Sequence, residues 1–430
     1  MKPALILHNS HWNGKPFDIP IKRDLLNRLM KFNKTKEIQI ISGIRRSGKS
    51  SLLKLYINEL IKDVNPLSIL FVNFDDPNFS EVFKNPEKLY DIIELAERLT
   101  KTKTEYLFFD EIQMVQSWEK FVKSVYDADV YKKICITGSN SELLDSNYSV
   151  LLSGRYIAHR IFPLSLWEIL HHYNLNNDID IHQNRPEVLN ITDSMIKFGS
   201  FPEIMKATDN EIKHEIALNY FDSIIIKDCI ANNNIRDTAS FKELSYYIFN
   251  NISSMFSYNG IAKAIISNDI TVKEYISVMK NAFLLYELSA FSYKLKQQIK
   301  SKRKIYCIDN GLISAVSLNF SQNKGQLFEN FVFAELLKMG EKNIFFHNEN
   351  NECDFIIKHN NELIAFQVCY VLNEQNKKRE INGLMEVMSK FVITKSYIIT
   401  FSQSQTFDNN ISAMPVYELH KLLSHANNSK

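Results

Sequence analysis

The chain has 430 residues, 45% hydrophobic and 23% charged, which can bury two or three ordinary cores and excludes a mostly disordered polypeptide. Lysine and arginine number 51 against 49 acidic residues, so no global basic field exists and any nucleic-acid contact must come from a local patch. The cysteines Cys135, Cys229, Cys307, Cys353 and Cys369 are scattered and never spaced C-x-x-C, which argues against a disulfide framework or structural zinc and fits a reducing cytoplasm. No apolar run approaches the ~18 residues of a membrane span, and the stretch Met1–Leu7 reads as too short for a signal peptide.

The first block alternates strands and helices. Strands are predicted at Glu37–Ser42, Ser68–Phe74, Glu105–Phe109, Lys133–Thr137 and Tyr156–Phe162, with helices at Ser50–Lys62 and Leu89–Leu99. Near-continuous apolar strands between helices imply a parallel sheet covered on both faces. The stretch His171–Asp193 is Asn- and Asp-rich with weak periodicity and reads as a long loop or linker. Helical patterns resume at Ser194 and run through Glu211–Ile230.

The second block predicts helices at Phe241–Asn250, Tyr258–Ile266 and Thr271–Leu285, the last capped by Asp269 or Thr271. Apolar segments Ala282–Phe291 and Lys304–Ile308 follow, separated by a basic stretch holding Lys294, Lys296, Lys300, Lys302, Arg303 and Lys304. Helices followed by a basic hairpin suggest a winged helix. The third block predicts a helix at Leu327–Met339, strands at Asn343–His347, Cys353–Lys358, Leu363–Val368 and Tyr397–Phe401, and a helix near Arg379–Phe391.

Gly43-Ile44-Arg45-Arg46-Ser47-Gly48-Lys49-Ser50 matches G-x-x-x-x-G-K-[ST] between a predicted strand and a predicted helix, with Ser51 next in line. Glycines let the backbone curl until successive N–H groups face phosphate oxygens, and the helix N-terminus adds positive partial charge there. Lys49 is expected on the β and γ phosphates of ATP, and Ser50 on Mg²⁺. Tyr106-Leu107-Phe108-Phe109 ends in Asp110-Glu111, at the strand edge where ligands of such sheets bind. Asp110 is expected to hold Mg²⁺ through water and Glu111 to act as general base. The next strand ends in Gly138-Ser139-Asn140, and Ser139 and Asn140 are candidates for contact with the γ-phosphate or attacking water; the alternative is an ordinary capped loop. Arg155, after Gly154, is either a transition-state cation, acting in its own subunit or a neighbour's, or a surface salt bridge.

These elements together resemble an AAA+-type P-loop ATPase. The nearer resemblance is to a prokaryotic group of such ATPases with an uncharacterised C-terminal domain. It is carried by IKRDLLNRL, ISGIRRSGKSSLL, YLFFDEIQ, ITGSNSELL, LLSGRYIAHRIFPLSLWEIL, FGSFPEI, YFDSIIIKDCI, TVKEYISVMKNAFLL and KIYCIDNGL. The later stretches carry no evident chemistry. In the C-terminal block, Glu329, Asp354 and Gln367 stand where a restriction-endonuclease-like core places its metal ligands, but Cys369 occupies the position of that core's lysine. A thiol carries no positive charge, Gln367 is neutral, and Lys377 and Lys378 lie beyond strand reach, so cleavage is not expected.

The expected fold is therefore α/β: a P-loop ATPase core over residues 1–165, a helical lid and linker over 166–235, a winged-helix-like domain over 236–315 and a degenerate nuclease-like domain over 320–430. Two functions fit. One is an ATPase that couples its cycle to double-stranded DNA; the other is a nucleotide-controlled switch whose C-terminal domains bind a protein partner. Either could be a homo-oligomer, and neither needs a membrane. A metabolite kinase is disfavoured, because no acceptor pocket is evident after the fourth strand.

Overall fold

The computed structural model describes residues 1–139, 151–317 and 324–424. The chain divides into two compact units, Met1–Pro163 with Asn281–Phe283, and Leu164–Lys280 with Leu284–Lys430. Among the described residues no helix is long and apolar enough to cross a membrane.

In the first unit, β1 (Ile38–Ser42), β2 (Ile69–Asn73), β3 (Tyr106–Asp110), β4 (Lys133–Gly138) and β5 (Tyr156–Arg160) form a parallel sheet in the order β2-β3-β4-β1-β5. Alternation along each strand feeds two cores. Ile38, Ile40, Leu107 and Phe109 pack with residues of the helices Lys88–Thr100 and Trp118–Asp127. Ile41, Tyr106 and Phe108 pack with the helices Leu25–Lys31 and Lys49–Leu60, where Tyr56 meets Phe108 edge-on at 5.3 Å. Gln39, fully buried in β1, donates from Nε2 to the Leu29 carbonyl and the Tyr56 hydroxyl.

The second unit opens with helices Leu166–His172, Asp178–Gln183 and Arg185–Phe198, not with the long loop expected over His171–Asp193. The polar residues there act as caps. Ser165 and Glu168 form a capping box, and Asn177 accepts from the Asp180 N–H. The helix Asn210–Ser223 continues as a π-helical segment, Ile224–Ala231.

Three helices (Thr238–Phe249, Tyr258–Ala264, Asp269–Asn281) then combine with β6 (Met255–Phe256), β7 (Leu285–Ser289) and β8 (Arg303–Cys307), an antiparallel sheet ordered β6-β8-β7. The third helix ends at Asn281, short of the expected Leu285, which opens β7 instead. Its first turn is capped by Asn268, whose Oδ1 accepts the Thr271 N–H, and not by Asp269 or Thr271. The basic stretch between β7 and β8 contains a short helix, Leu295–Lys300.

The C-terminal sheet holds β9 (Ile344–Asn348), β10 (Glu352–His359), β11 (Glu362–Cys369), β12 (Ile393–Thr400), β13 (Gln405–Thr406) and β14 (Ile411–Pro415), in the order β13-β14-β12-β11-β10-β9. It is antiparallel from β9 to β11 and parallel from β11 through β12 to β14. The helices Lys324–Lys338 and Lys377–Lys390 accompany it.

Two stretches with no evident chemistry prove to be a packing lock. The buried Asp309 carboxylate accepts the Ser200 N–H at 2.7 Å, the Ser200 hydroxyl at 2.8 Å and the Gly311 N–H at 2.9 Å. Gly199, at φ 83°, passes so close that a Cβ there would lie 1.8 Å from Asp309 Oδ1. FGSFPEI and KIYCIDNGL thus hold each other.

Candidate functional site

The loop Gly43–Ser50 leaves β1 at the C-terminal edge of the sheet. A Cβ on Gly43 would lie 2.1 Å from the Ile161 carbonyl oxygen, so only glycine lets β1 pass this closely. Arg46 (φ 68°) and Gly48 (φ 98°) adopt left-handed backbone, which bends the loop into an anion-binding concavity closed by the N-terminus of the helix Lys49–Leu60. Arg23 braces it from outside the motif, donating from one guanidinium nitrogen to the Ser47 carbonyl at 2.8 Å and from another to that of Phe162 at 2.7 Å.

Lys49 is buried. Its Nζ donates to the Gly43 and Ile44 carbonyls at 3.1 and 3.3 Å and lies 3.4 Å from Glu111 Oε1. Glu111 sits in left-handed backbone at φ 54°, a conformation that costs a non-glycine residue ~1 kcal/mol or more and clusters at functional sites. Burial alone would raise its pKa. The Lys49 ammonium, a hydrogen bond donated by Gln113, and Arg45 outweigh burial and hold the carboxyl below its usual range.

Asp110 is fully buried, and burial followed by the Glu111 charge pushes its pKa up to about 6, against the opposing pull of Ser50, Thr137 and Lys49. The Thr137 hydroxyl donates to Asp110 Oδ1 at 2.5 Å, while Oδ2 has no hydrogen-bond partner among the described residues. The sheet order explains the contact. β4 lies between β1 and β3 and pairs in parallel with β3, so its last residues end beside the acidic pair.

Ser50, Asp110 and Glu111 therefore converge beside Lys49, as the motifs require. An unpartnered buried carboxylate oxygen beside a serine hydroxyl is a donor set that suits Mg²⁺, an oxygen-seeking cation usually bound through one or two carboxylates and waters. Ser139 is buried next to this group, its Oγ 3.4 Å from the Gln113 amide nitrogen. Asn140 lies outside the described residues. Thr137, Gln113 and Arg23 were not singled out from the sequence. A threonine at the end of the otherwise apolar KICIT strand was the available signal for the first.

Arg155 is placed elsewhere. The register pairs Ile38 with Tyr156 and Ser42 with Arg160, so Arg155 precedes β5 at the edge opposite the loop. Its Nε donates to Asp127 Oδ1 at 2.9 Å. Of the alternatives open for Arg155, this placement and the ion pair fit the surface salt bridge, and the strand direction sets it apart from the loop of its own subunit.

The C-terminal candidates are only partly assembled. Glu329 and Asp354 meet at a shared cation, joined by Glu352. Gln367 lies outside this group of contacts: its Nε2 donates to Glu380 Oε2 at 2.7 Å, and its buried Oε1 has no hydrogen-bond partner among the described residues. Lys377 lies against Glu374 and the Phe407 ring. Burial pushes the Cys369 thiol up to about 11, so it is neutral.

Residues 35–170 match the family model described as AAA domain. Residues 191–324 and 324–419 match two models described as domains of unknown function, DUF8612 and DUF4143. An uncharacterized protein of Methanocaldococcus jannaschii is 36% identical over 375 residues, 84% of this chain and 80% of that one. An uncharacterized protein of Haemophilus influenzae is 30% identical over 388 residues, 87% of this chain and 93% of that one. Among solved structures, Aeropyrum pernix ORC1 in complex with DNA aligns with 71% of this chain and 94% of its own at 13% identity and a TM-score of 0.34, too low to carry a role across. With the loop, the acidic pair and relatives matched along most of its length, the chain belongs to the prokaryotic family of P-loop ATPases in which an AAA domain precedes two domains of unknown function.

Proposed function

We propose that the protein binds Mg-ATP at the loop Gly43–Ser50, with Ser51 in the same helical turn, and hydrolyses it, coupling the cycle to double-stranded DNA. The observation that carries the catalytic part is the convergence of Lys49, Ser50, Asp110 and Glu111 at one sheet edge, with Asp110 Oδ2 unpartnered.

In this reading the loop N–H groups and Lys49 bind and orient the β and γ phosphates. Ser50 and Asp110 hold Mg²⁺, which when bound neutralises phosphate charge. Glu111, held ionised, accepts the proton of the attacking water. Gln113 orients that carboxylate and touches Ser139. Thr137 fixes Asp110 Oδ1 and leaves Oδ2 as the oxygen that would be available to a metal. Asn140 stays a candidate by position alone. Arg155 stays one only toward a neighbouring subunit's nucleotide in a homo-oligomer.

The DNA part rests on topology and charge. Helix, strand, two helices and an antiparallel pair around the sheet β6-β8-β7 are what a winged helix requires. Lys294, Lys296, Lys300 and Lys302 are exposed on its β7–β8 segment and can grip phosphates. The same segment favours a second reading, docking of a protein partner. Tyr293, Leu295 and Ile299 there are 69%, 69% and 62% exposed, apolar surface that phosphate binding does not need.

In this reading the domains are an ATPase core over 1–165, a helical lid and linker over 166–235, a winged-helix-like domain over 236–315, and a degenerate nuclease-like domain over 320–430 that does not cleave. Turnover of wild type and Glu111→Gln, with and without duplex DNA at two salt concentrations, tests the whole reading. Glu111→Gln is expected to bind ATP but lose ~10²-fold or more in rate. DNA stimulation that falls steeply with salt supports DNA engagement; a rate indifferent to DNA favours the protein partner. Wild-type turnover by Glu111→Gln would remove Glu111 as the base.

A further inference from the structure

Lys304 begins the KIYCIDNGL stretch, and its side chain is 3% exposed. Its Nζ lies 2.6 Å from Glu352 Oε1, 2.9 Å from Glu329 Oε1 and 3.7 Å from Asp354 Oδ1. Tyr306, two residues on in β8, donates to Glu329 Oε1 at 2.6 Å, and the Val368 N–H donates to Asp354 Oδ2 at 2.8 Å. The carboxylates come from the helix Lys324–Lys338 and from β10, whereas the ammonium comes from the three-stranded sheet. Three elements of two modules thus meet on one charge.

Three carboxylates around one point form the donor set of a hard divalent cation. Here an ammonium occupies that point. Its contacts of 2.6 Å and more are those of N–H···O bonds, longer than the ~2.0–2.1 Å of Mg²⁺–oxygen. Accordingly, no group of acidic, histidine or cysteine side chains among the described residues stands close enough together to hold a metal. An ammonium lying between the carboxylates also differs from a catalytic lysine beside a metal, because it excludes the metal.

We infer that Glu329, Glu352 and Asp354 form a cation cage whose resident is the chain's own Lys304, so that the C-terminal domain is closed to divalent metal and latched through this lysine to β8. The surroundings agree. The carboxylates outweigh burial and keep Lys304 protonated, while burial raises Glu329 and raises Asp354 well above the usual carboxylate range. The inference is independent of the ATPase reading, since no residue of the cage belongs to the first unit.

The test is Mn²⁺ titration of the nucleotide-free full-length protein, with free Mn²⁺ read by EPR. Any weak binding at the phosphate loop is common to all variants and cancels in the comparison. Lys304→Ala is expected to gain one Mn²⁺ per chain, bound ~10-fold or more tighter than anything wild type shows. The gain should vanish in Lys304→Ala/Asp354→Asn, and Mn²⁺ should raise the melting temperature of Lys304→Ala alone. A Lys304→Ala protein that folds and takes no extra Mn²⁺ overturns the inference. The wild-type arm decides even if that variant does not fold. One equivalent of Mn²⁺ removed by Asp354→Asn overturns the closed cage, and no such site supports it.

Discussion

Thr137 ties Asp110 to Glu111 at the candidate site: the threonine hydroxyl donates to Asp110 Oδ1 at 2.5 Å, and its oxygen accepts the N–H of Glu111 at 3.0 Å. One hydroxyl therefore fixes both acidic residues. Thr137→Val keeps the shape and removes the hydrogen bonds, leaving a buried carboxylate oxygen and a buried N–H unpaired. Such losses cost ~1–3 kcal/mol each. We expect ATP turnover to fall ~10-fold or more with a smaller change in nucleotide affinity, and Thr137→Ser to recover part of the rate. A Thr137→Val enzyme with wild-type turnover would make the hydroxyl a packing detail.

The phosphate loop and the Asp110-Glu111 pair were legible because each is a contiguous string whose chemistry is local. Thr137 was not, because its role depends on β4 lying between β3 and β1, and strand order is not written in alternation. Lys304 closes a basic stretch, and nothing in the sequence separates it from the other lysines there. Its partners lie on other elements, and Glu329 is 25 residues away. The helices over Leu166–Phe198 were hidden because Asn and Asp serve caps and loops alike, so composition misled where cap geometry decides. β14 escaped notice although Ile411 and Ala413 are buried and alternate with half-buried neighbours, because the segment is short and ends in Pro415.

Arg155 supplies a prediction with the opposite sign. Its guanidinium pairs with Asp127, itself partly exposed, at the edge of the sheet away from the loop. Exposed pairs of this kind contribute ~0–1 kcal/mol. Arg155→Ala should leave turnover of dilute, monomeric protein within about twofold of wild type, since no transition-state contact is lost. A tenfold drop under those conditions would require the arginine to reach its own nucleotide after all. A drop confined to concentrated protein would place it in a neighbour's site.

Acid should weaken the first unit through buried imidazoles. Burial, with Arg28 and Lys133 adding to it, lowers the His159 pKa from 6.5 to about 4, and neither ring nitrogen has a hydrogen-bond partner among the described residues. Burial lowers His11 to about 4 as well, against its bond to the Ile69 carbonyl. A folded pKa below the unfolded one means that the unfolded chain takes up protons first. Their stabilisation is complete above pH 6.5 and is lost as pH falls toward 4, at up to ~1.4 kcal/mol per pH unit for each group. Urea midpoints at pH 7.5 and 5 should diverge in wild type and less so in His159→Leu, which also sheds two unpaired ring nitrogens. Identical pH slopes in the two proteins would show that His159 does not carry the effect.

Gly199 and Asp309 make the most stringent prediction about stability. A methyl group on Gly199 would meet Asp309 Oδ1 at 1.8 Å and the Gly311 nitrogen at 2.7 Å, at a backbone φ of 83° that side chains rarely adopt. Asp309 cannot step aside cheaply. It is fully buried, burial raises its pKa despite Lys338 nearby, and it satisfies both donors of Ser200 and the Gly311 N–H. Gly199→Ala should therefore cost ~3 kcal/mol or more, in the range of broken buried networks. Asp309→Ala should cost a similar amount, because it leaves the three donors unpaired. The double variant separates clash from backbone strain. With the carboxylate gone, the nearest obstacle to the new methyl is removed, so the two losses should fall short of additivity by ~1–3 kcal/mol. Strict additivity in urea denaturation would mean that Gly199 is needed for its backbone angle alone, and that the close approach to Asp309 contributes nothing.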